Sequence, residues 1–111
     1  MAKCNVAVMV SGNGSNLQAI IDACKNGKIN ASVKAVISDQ KDAFALSRAK
    51  KAGIRAEFVD PKSFKNREEH EKAVSKIIEE EKAGLVVMAG YMRLVTKYFI
   101  KKYRGRLINN S

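Results

Sequence analysis

The sequence predicts a doubly wound α/β domain, a mostly parallel Rossmann-like sheet with helices on both faces. Three observations carry this. Strand-like and helix-like patterns alternate along all 111 residues, in the order β-α-β-α-β-α-β-α-β. Residues 6–10 and 85–89 are apolar throughout, as strands covered on both faces are. A loop with two glycines, Ser11-Gly12-Asn13-Gly14-Ser15-Asn16, separates the first strand from the first helix. In such sheets ligands sit beyond the carboxyl ends of the strands, at the point where strand order reverses.

Each element follows from local chemistry. Residues 5–10 form a β-branched-rich strand. Leu17, Ile20, Ile21 and Cys24 then fall at i, i+3, i+4 and i+7, one helical stripe. Ser15 or Asn16 is expected to cap that helix, and Gly27 to end it in a left-handed conformation. Residues 32–38 read as a second strand, and 43–52 as an alanine-rich helix stopped by Gly53. Residues 55–59 are a short third strand ended by Asp60-Pro61. Asn66 opens the third helix, NREEHEKAVSKIIEEEKAG, with His70, Val74, Ile77 and Ile78 as its buried stripe and Gly84 as its stop. Glu68 with Lys72 and Lys76 with Glu80 are four-apart pairs on its surface. Residues 85–89 are a fourth strand, 96–103 a short helix, and 106–109 a fifth strand beginning. The topology makes one neighbourhood of the glycine loop, the segment from Gly90 to Arg93, and Asn109, provided that the first, fourth and fifth strands are adjacent.

Composition narrows the function. The chain has 21 Lys plus Arg against 11 Asp plus Glu, a formal charge of +10, which attracts polyanions, a membrane surface or small anionic substrates. The densest basic run, residues 93–106, holds six basic residues and no acid. Cys4 and Cys24 stand far apart and imply neither zinc nor a disulfide framework, and Cys24 is expected as a buried, reduced thiol. No metal site is expected. The first apolar run is too short for a secretory signal, and none approaches the ~20 residues of a membrane span, so the expected setting is cytoplasmic.

The glycine loop is built for an anion. Gly12 and Gly14 can take backbone angles closed to other residues and let a ligand approach. Backbone N–H groups of Gly14, Ser15 and Asn16 then face a phosphate, helped by the helix dipole. A dinucleotide fingerprint would need a third glycine where Leu17 stands, although Asp39 at the end of the second strand could serve as a ribose-binding acid. A P-loop would need Gly-Lys-Ser/Thr, which does not occur. A tight turn without ligand is the plainest alternative. A single phosphate on a small substrate fits the loop best.

With those residues the chain resembles the N-terminal part of the glycinamide ribonucleotide formyltransferases, folate-dependent enzymes of purine synthesis. The resemblance rests on SGNGSNLQAIIDACK (residues 11–25), DAF (42–44), REEHEK (67–72), VVMAGYMRLV (86–95) and GRLIN (105–109). It implies transfer of a formyl group from formyl-tetrahydrofolate to the amine of glycinamide ribonucleotide. Carried over by position, Gly14, Ser15 and Asn16 bind the substrate phosphate, with Gly12 and Asn13 shaping the loop. Arg67 and Met92-Arg93-Leu94-Val95 contact the folate. Met92, Leu94 and Val95 would offer an apolar wall for a flat pterin, and Arg67 and Arg93 could meet carboxylates or ring acceptors. Simple core packing after a strand is the alternative for 92–95. Asn109 would present its amide N–H₂ to the developing formyl oxyanion.

The family motif there reads Asn-x-His-Pro-Ser, whereas this sequence has Asn109-Asn110-Ser111, with Ser111 at the histidine position. A serine hydroxyl does not shuttle protons near pH 7 as an imidazole does. His70, the sole histidine, lies mid-helix on or beside the packed stripe and reads as structural. The expectation is one N-terminal phosphate-binding domain, residues 1–111, ending before the folate and catalytic half. It should bind substrate phosphate, be catalytically incomplete alone, and self-associate or pair with the absent half. The competing class is a basic nucleic-acid-binding domain using residues 93–106, with Tyr91, Tyr98 and Tyr103 for stacking. No groove-reading helix or RNA-binding signature supports it, so nucleic acid is not the expected partner.

Overall fold

In a computed structural model, which describes residues 3–110, the strands are β1 (Cys4–Val10), β2 (Ala31–Ser38), β3 (Arg55–Phe58), β4 (Leu85–Ala89) and β5 (Leu107–Asn110). The helices are α1 (Ser15–Lys25), α2 (Phe44–Lys51), α3 (Arg67–Glu80) and α4 (Lys97–Lys102), with one 3-10 turn at Pro61–Ser63. Six elements, β1, β2, α2, β3, α4 and β5, differ by one residue at one or both ends from the ranges expected from sequence, as fraying ends do.

The sheet is parallel, in the order β3-β2-β1-β4-β5. β1 is therefore central: the chain runs outward through β2 and β3 on one side, then crosses back to β4 and β5 on the other, which creates the switch point. Val6, Val8 and Val10 point to one face, where they pack with Leu17 and Ile21 of α1 and Ala45, Leu46 and Ala49 of α2. Ala7 and Met9 point to the other, against Val74, Ile77 and Ile78 of α3 and Phe99 and Tyr103 of α4. The doubly wound expectation holds because consecutive residues of β1 have a different layer to bury into.

Lys34 sits inside β2 yet is exposed. The register explains this: Val6 pairs with Val33 and Ala7 with Ala35, so a bulge skips Lys34 and turns its ammonium to water. Gly27 and Gly53 take positive φ, 76° and 73°, just past α1 and α2, as expected. Gly84 does not stop α3. That helix ends at Glu80, and Lys82 supplies the left-handed residue at φ 52°. On its surface Lys72 pairs with Glu69 at 3.6 Å rather than with Glu68, and Glu80 turns to Arg55 at 3.0 Å instead of Lys76. Arg55 is also bound by Glu57 and Glu81, so the acids at the end of α3 tie it to the edge strand β3.

His70 is buried, and its Nε2 donates to the Val59 carbonyl at 2.9 Å while Phe64 meets its ring edge-on. The carbonyl can only accept, so Nε2 carries the proton. Cys24 packs at the margin of the α1–α2 core, partly rather than fully buried, with its thiol pKa pushed up by that burial. No helix among the described residues is long and apolar enough to cross a membrane, and no cluster of three or more His, Cys, Asp or Glu could hold a metal.

Candidate functional site

The loop after β1 and the segment after β4 meet at the switch point. Ser11 is buried at the last turn of the strand, its N–H donates to the Gly90 carbonyl at 3.2 Å, and its Oγ accepts from the Met92 N–H at 2.8 Å. Between the two segments lies a cleft of about 420 Å³, lined by the whole run from Ser11 to Asn16 together with Gln40, Gly90 and Met92. Among the described residues no carboxylate and no imidazole lines it.

The start of α1 is capped by neither Ser15 nor Asn16. The N-cap is Gly14, at φ 84°, and no side chain bonds the first-turn amides. The helical ladder begins with Gln18 N–H donating to the Gly14 carbonyl at 2.8 Å. The N–H groups of Ser15, Asn16 and Leu17 therefore precede it, at the positive end of the helix dipole and with no acid in the first turn. Such an end is ready for an anion. Of the two glycines only Gly14 needs its freedom. A Cβ there would also lie 2.7 Å from the Ala45 Cβ, whereas Gly12 has ordinary φ and its added Cβ would meet nothing within 4 Å. The expectation that both take special angles is corrected: Gly14 lets α1 and α2 close together, and Gly12 only leaves an exposed backbone.

The second half of the site is open. Met92 and Leu94 are 80% and 77% exposed, so core packing does not account for them, while Val95 is half-buried against the α3–α4 layer. Both ends of this segment are fixed: Met92 by Ser11, and Thr96 by the buried carboxylate of Glu71, which accepts the Thr96 N–H at 2.8 Å and its hydroxyl. Arg93 lines a second cleft, of about 380 Å³, with Asp39, Lys41, Phe58, Asp60 and Lys62. Arg67 is exposed at the first position of α3 and lines neither cleft. Asn109 pairs with Met88 on the outer strand β5 and is exposed. Beside it the Asn110 carbonyl accepts from Asn16 Nδ2 at 3.5 Å, so β5 does touch the start of α1. Ser111 lies outside the described residues.

Sequence reasoning missed Arg48 altogether, and it placed Ser11 and Tyr91 in the neighbourhood without the roles they take. Ser11 pins the two loops together. Arg48 on α2 holds the Asn13 carbonyl and side-chain oxygen, at 2.9 and 2.8 Å. Tyr91 opens the second segment, its phenol pKa pushed above the ordinary range first by burial and then by the charge of Asp39, whose buried Oδ1 has no partner among the described residues. For Arg48 the only hint in the sequence was DAF (42–44), a few residues before it, which carried resemblance without an assigned role.

The formyl transferase family matches residues 4–110. Over 105 residues the chain is 46% identical to the phosphoribosylglycinamide formyltransferase of Escherichia coli (strain K12), covering 95% of this chain and 50% of that protein. It is 37% identical to the Homo sapiens trifunctional purine biosynthetic protein adenosine-3, over 96% of this chain and 11% of that one. Its fold matches the crystal structure of glycinamide ribonucleotide transformylase 1 from Symbiobacterium toebii with a TM-score of 0.93 at 38% identity, covering 97% of this chain and 51% of the other. The chain spans about half the length of the curated bacterial relatives it matches. With the family's model spanning residues 4–110 and the fold matching a solved relative over 97% of its length, the chain belongs to the formyl transferase family.

Proposed function

We propose that this chain is the substrate-phosphate half of a phosphoribosylglycinamide formyltransferase, and that alone it binds without catalysing. The observation that carries this is the uncapped start of α1, with Gly14 at φ 84° and no acid in the first turn, facing a cleft of substrate size. Gly14, Ser15 and Asn16 would hold the phosphate of glycinamide ribonucleotide through backbone N–H groups, and Gly12 and Asn13 shape the loop. Formyl-tetrahydrofolate would lie along Met92 and Leu94, whose exposure suits an apolar wall, with Arg67, Arg93 and Val95 around it.

In the reaction the substrate amine attacks the formyl carbon, negative charge gathers on the formyl oxygen, and the amide of Asn109 would donate to it. The amine must then shed a proton, and the bond from the formyl carbon to the folate nitrogen must break, that nitrogen taking up a proton as tetrahydrofolate leaves. His70 is committed to Val59, and among the described residues no carboxylate or imidazole lines the cleft. General acid–base groups contribute ~10²–10⁴-fold in rate, so the chain alone should transfer no formyl group above background. The remaining chemistry would come from a complementary C-terminal half, covering β5 and the Met92–Leu94 wall. The setting that suits such an enzyme is the cytoplasm.

The test is a formyl-transfer assay on the purified chain, alone and mixed with the C-terminal half of the Escherichia coli relative, beside NMR titration with glycinamide ribonucleotide. Shifts at Gly14 to Asn16 with no turnover until the second half is added are the expected result. Turnover well above background by the chain alone, or shifts confined to residues elsewhere, overturns the proposal.

A further inference from the structure

We propose that Arg48 is a positioning residue of the phosphate site, holding the loop from behind so that its amides face the ligand. The inference rests on the phosphate reading above and deepens it. In a trans peptide the carbonyl of one residue and the N–H of the next point in opposite directions. Two successive carbonyls of the loop are drawn onto α2: the Gly12 oxygen accepts the Ala45 N–H at 3.2 Å, and the Asn13 oxygen accepts Arg48 Nε at 2.9 Å. The N–H groups of Asn13 and Gly14 must therefore turn away from α2. No residue of α2 lines the cleft, whereas Asn13 and Gly14 both do.

Arg48 suits this task geometrically. Its three donor nitrogens reach the Asn13 oxygen, the Asn13 Oδ1 at 2.8 Å and the Gln18 Oε1 at 3.2 Å, so one planar fork grips the loop and the second turn of α1 together. Its guanidinium lies 4.8 Å over the ring of Phe44, which fixes its plane. Among the described residues no carboxylate pairs with it, so its charge stays unneutralised beside a loop meant for an anion. A Cβ on Gly14 would come within 3.2 Å of the Arg48 Cδ, a further sign that loop and arginine are fitted to each other. The DAF stretch at residues 42–44 thereby acquires a role: it starts α2 where Phe44, Ala45 and Arg48 can hold the loop.

The experiment compares the wild-type chain with Arg48→Met, Arg48→Lys and Lys51→Met, titrating each with ribose 5-phosphate and following the amide signals of Asn13 to Asn16. Lys51 is exposed near the end of the same helix, and its substitution controls for bulk charge. We expect about ten-fold weaker binding for Arg48→Met and about three-fold for Arg48→Lys, which keeps the charge but not the fork, and no change for Lys51→Met. Amide exchange at Asn13 and Gly14 should quicken in both Arg48 variants. If Arg48→Met does not fold, Arg48→Lys carries the comparison. Wild-type affinity in the Arg48 variants, or equal weakening by Lys51→Met, overturns the inference and leaves the phosphate reading standing. A wild-type loop unmoved by millimolar ribose 5-phosphate overturns both.

Discussion

The loop after β1 and the wall after β4, with β5 touching the loop only from Asn110 to Asn16, meet at one cleft, but they are finished to different degrees. In the loop, Ser11, Gly12, Asn13 and Gly14 each have a partner for a backbone or side-chain group, and α2 backs them from behind. In the wall the backbone is anchored, at Met92 and Thr96, while the side chains of Met92 and Leu94 stand in water. Ile108 on β5 is 47% exposed as well. A phosphate needs a ring of fixed donors, which one tight turn and one helix start can supply. A flat heterocycle needs two apolar surfaces, one on each side. The first requirement can be met by neighbouring residues, and the second asks for a surface these residues do not enclose.

The contrast breaks most sharply at Gly14. Alanine there must hold φ 84° and push its Cβ into Ala45, whose Cβ would lie at 2.7 Å. Left-handed strain costs roughly 1–2 kcal/mol and overpacking about 1–3 more, which for a domain of this size lowers Tm by roughly 10–30 °C. Gly12→Ala, two residues earlier in an open part of the loop, should change stability by about 0.5 kcal/mol or less. Thermal melts of the two variants decide it. Equal losses would mean that α2 yields and the loop is not rigidly backed.

How much of this was legible in the sequence depends on the range of the interactions involved. The strands were readable because five successive apolar residues, as in Val6 to Val10, have few other places to go. The stops at Gly27 and Gly53 were readable because a left-handed residue after a helix is a local event. The bulge at Lys34 was not, since it depends on which residue of β1 lies opposite. The cap of α1 was misassigned because Ser and Asn ordinarily do that work, and only the approach of Ala45 shows why glycine does it here. The site divides in the same way. The amides of the loop could be inferred from its glycines, but Ser11 with Met92 and Arg48 with Asn13 are joined across 81 and 35 residues, and no local pattern announces them. Nor does sequence separate Met92 from Arg93, which the turn after Gly90 sends to different clefts.

The wall gives the next, smaller effect. Met92→Ser with Leu94→Ser removes two apolar side chains that bury little, so the change in stability should stay within about 0.5 kcal/mol. What should fall is association: concentration-dependent broadening in analytical ultracentrifugation, and binding of an apolar dye, since contiguous exposed apolar surface drives both. A loss of several degrees in Tm would show that these side chains are packed, and the contrast between a finished loop and an open wall would fail on that side.

The smallest effect separates the base of the wall from its surface. Tyr91 lies just before the exposed pair, and burial, reinforced by the charge of Asp39, keeps its phenol neutral well above the ordinary value of 10.0 despite the opposing pull of Arg93. For an acid whose folded pKa is raised, the folded chain holds a proton that the unfolded chain gives up. Its contribution is complete below pH 10 and is lost as pH rises toward the folded value. Tyr103 is shifted in the same direction by burial and stays present in any Tyr91 variant, so the difference between two proteins isolates Tyr91. Urea unfolding of the wild type and of Tyr91→Phe at pH 8, 10 and 11 should give parallel values at pH 8. The wild type should then decline more steeply, because phenylalanine has no proton to lose. Identical slopes would mean that Tyr91 is open to water, and the wall would be unfinished at its base as well as at its surface.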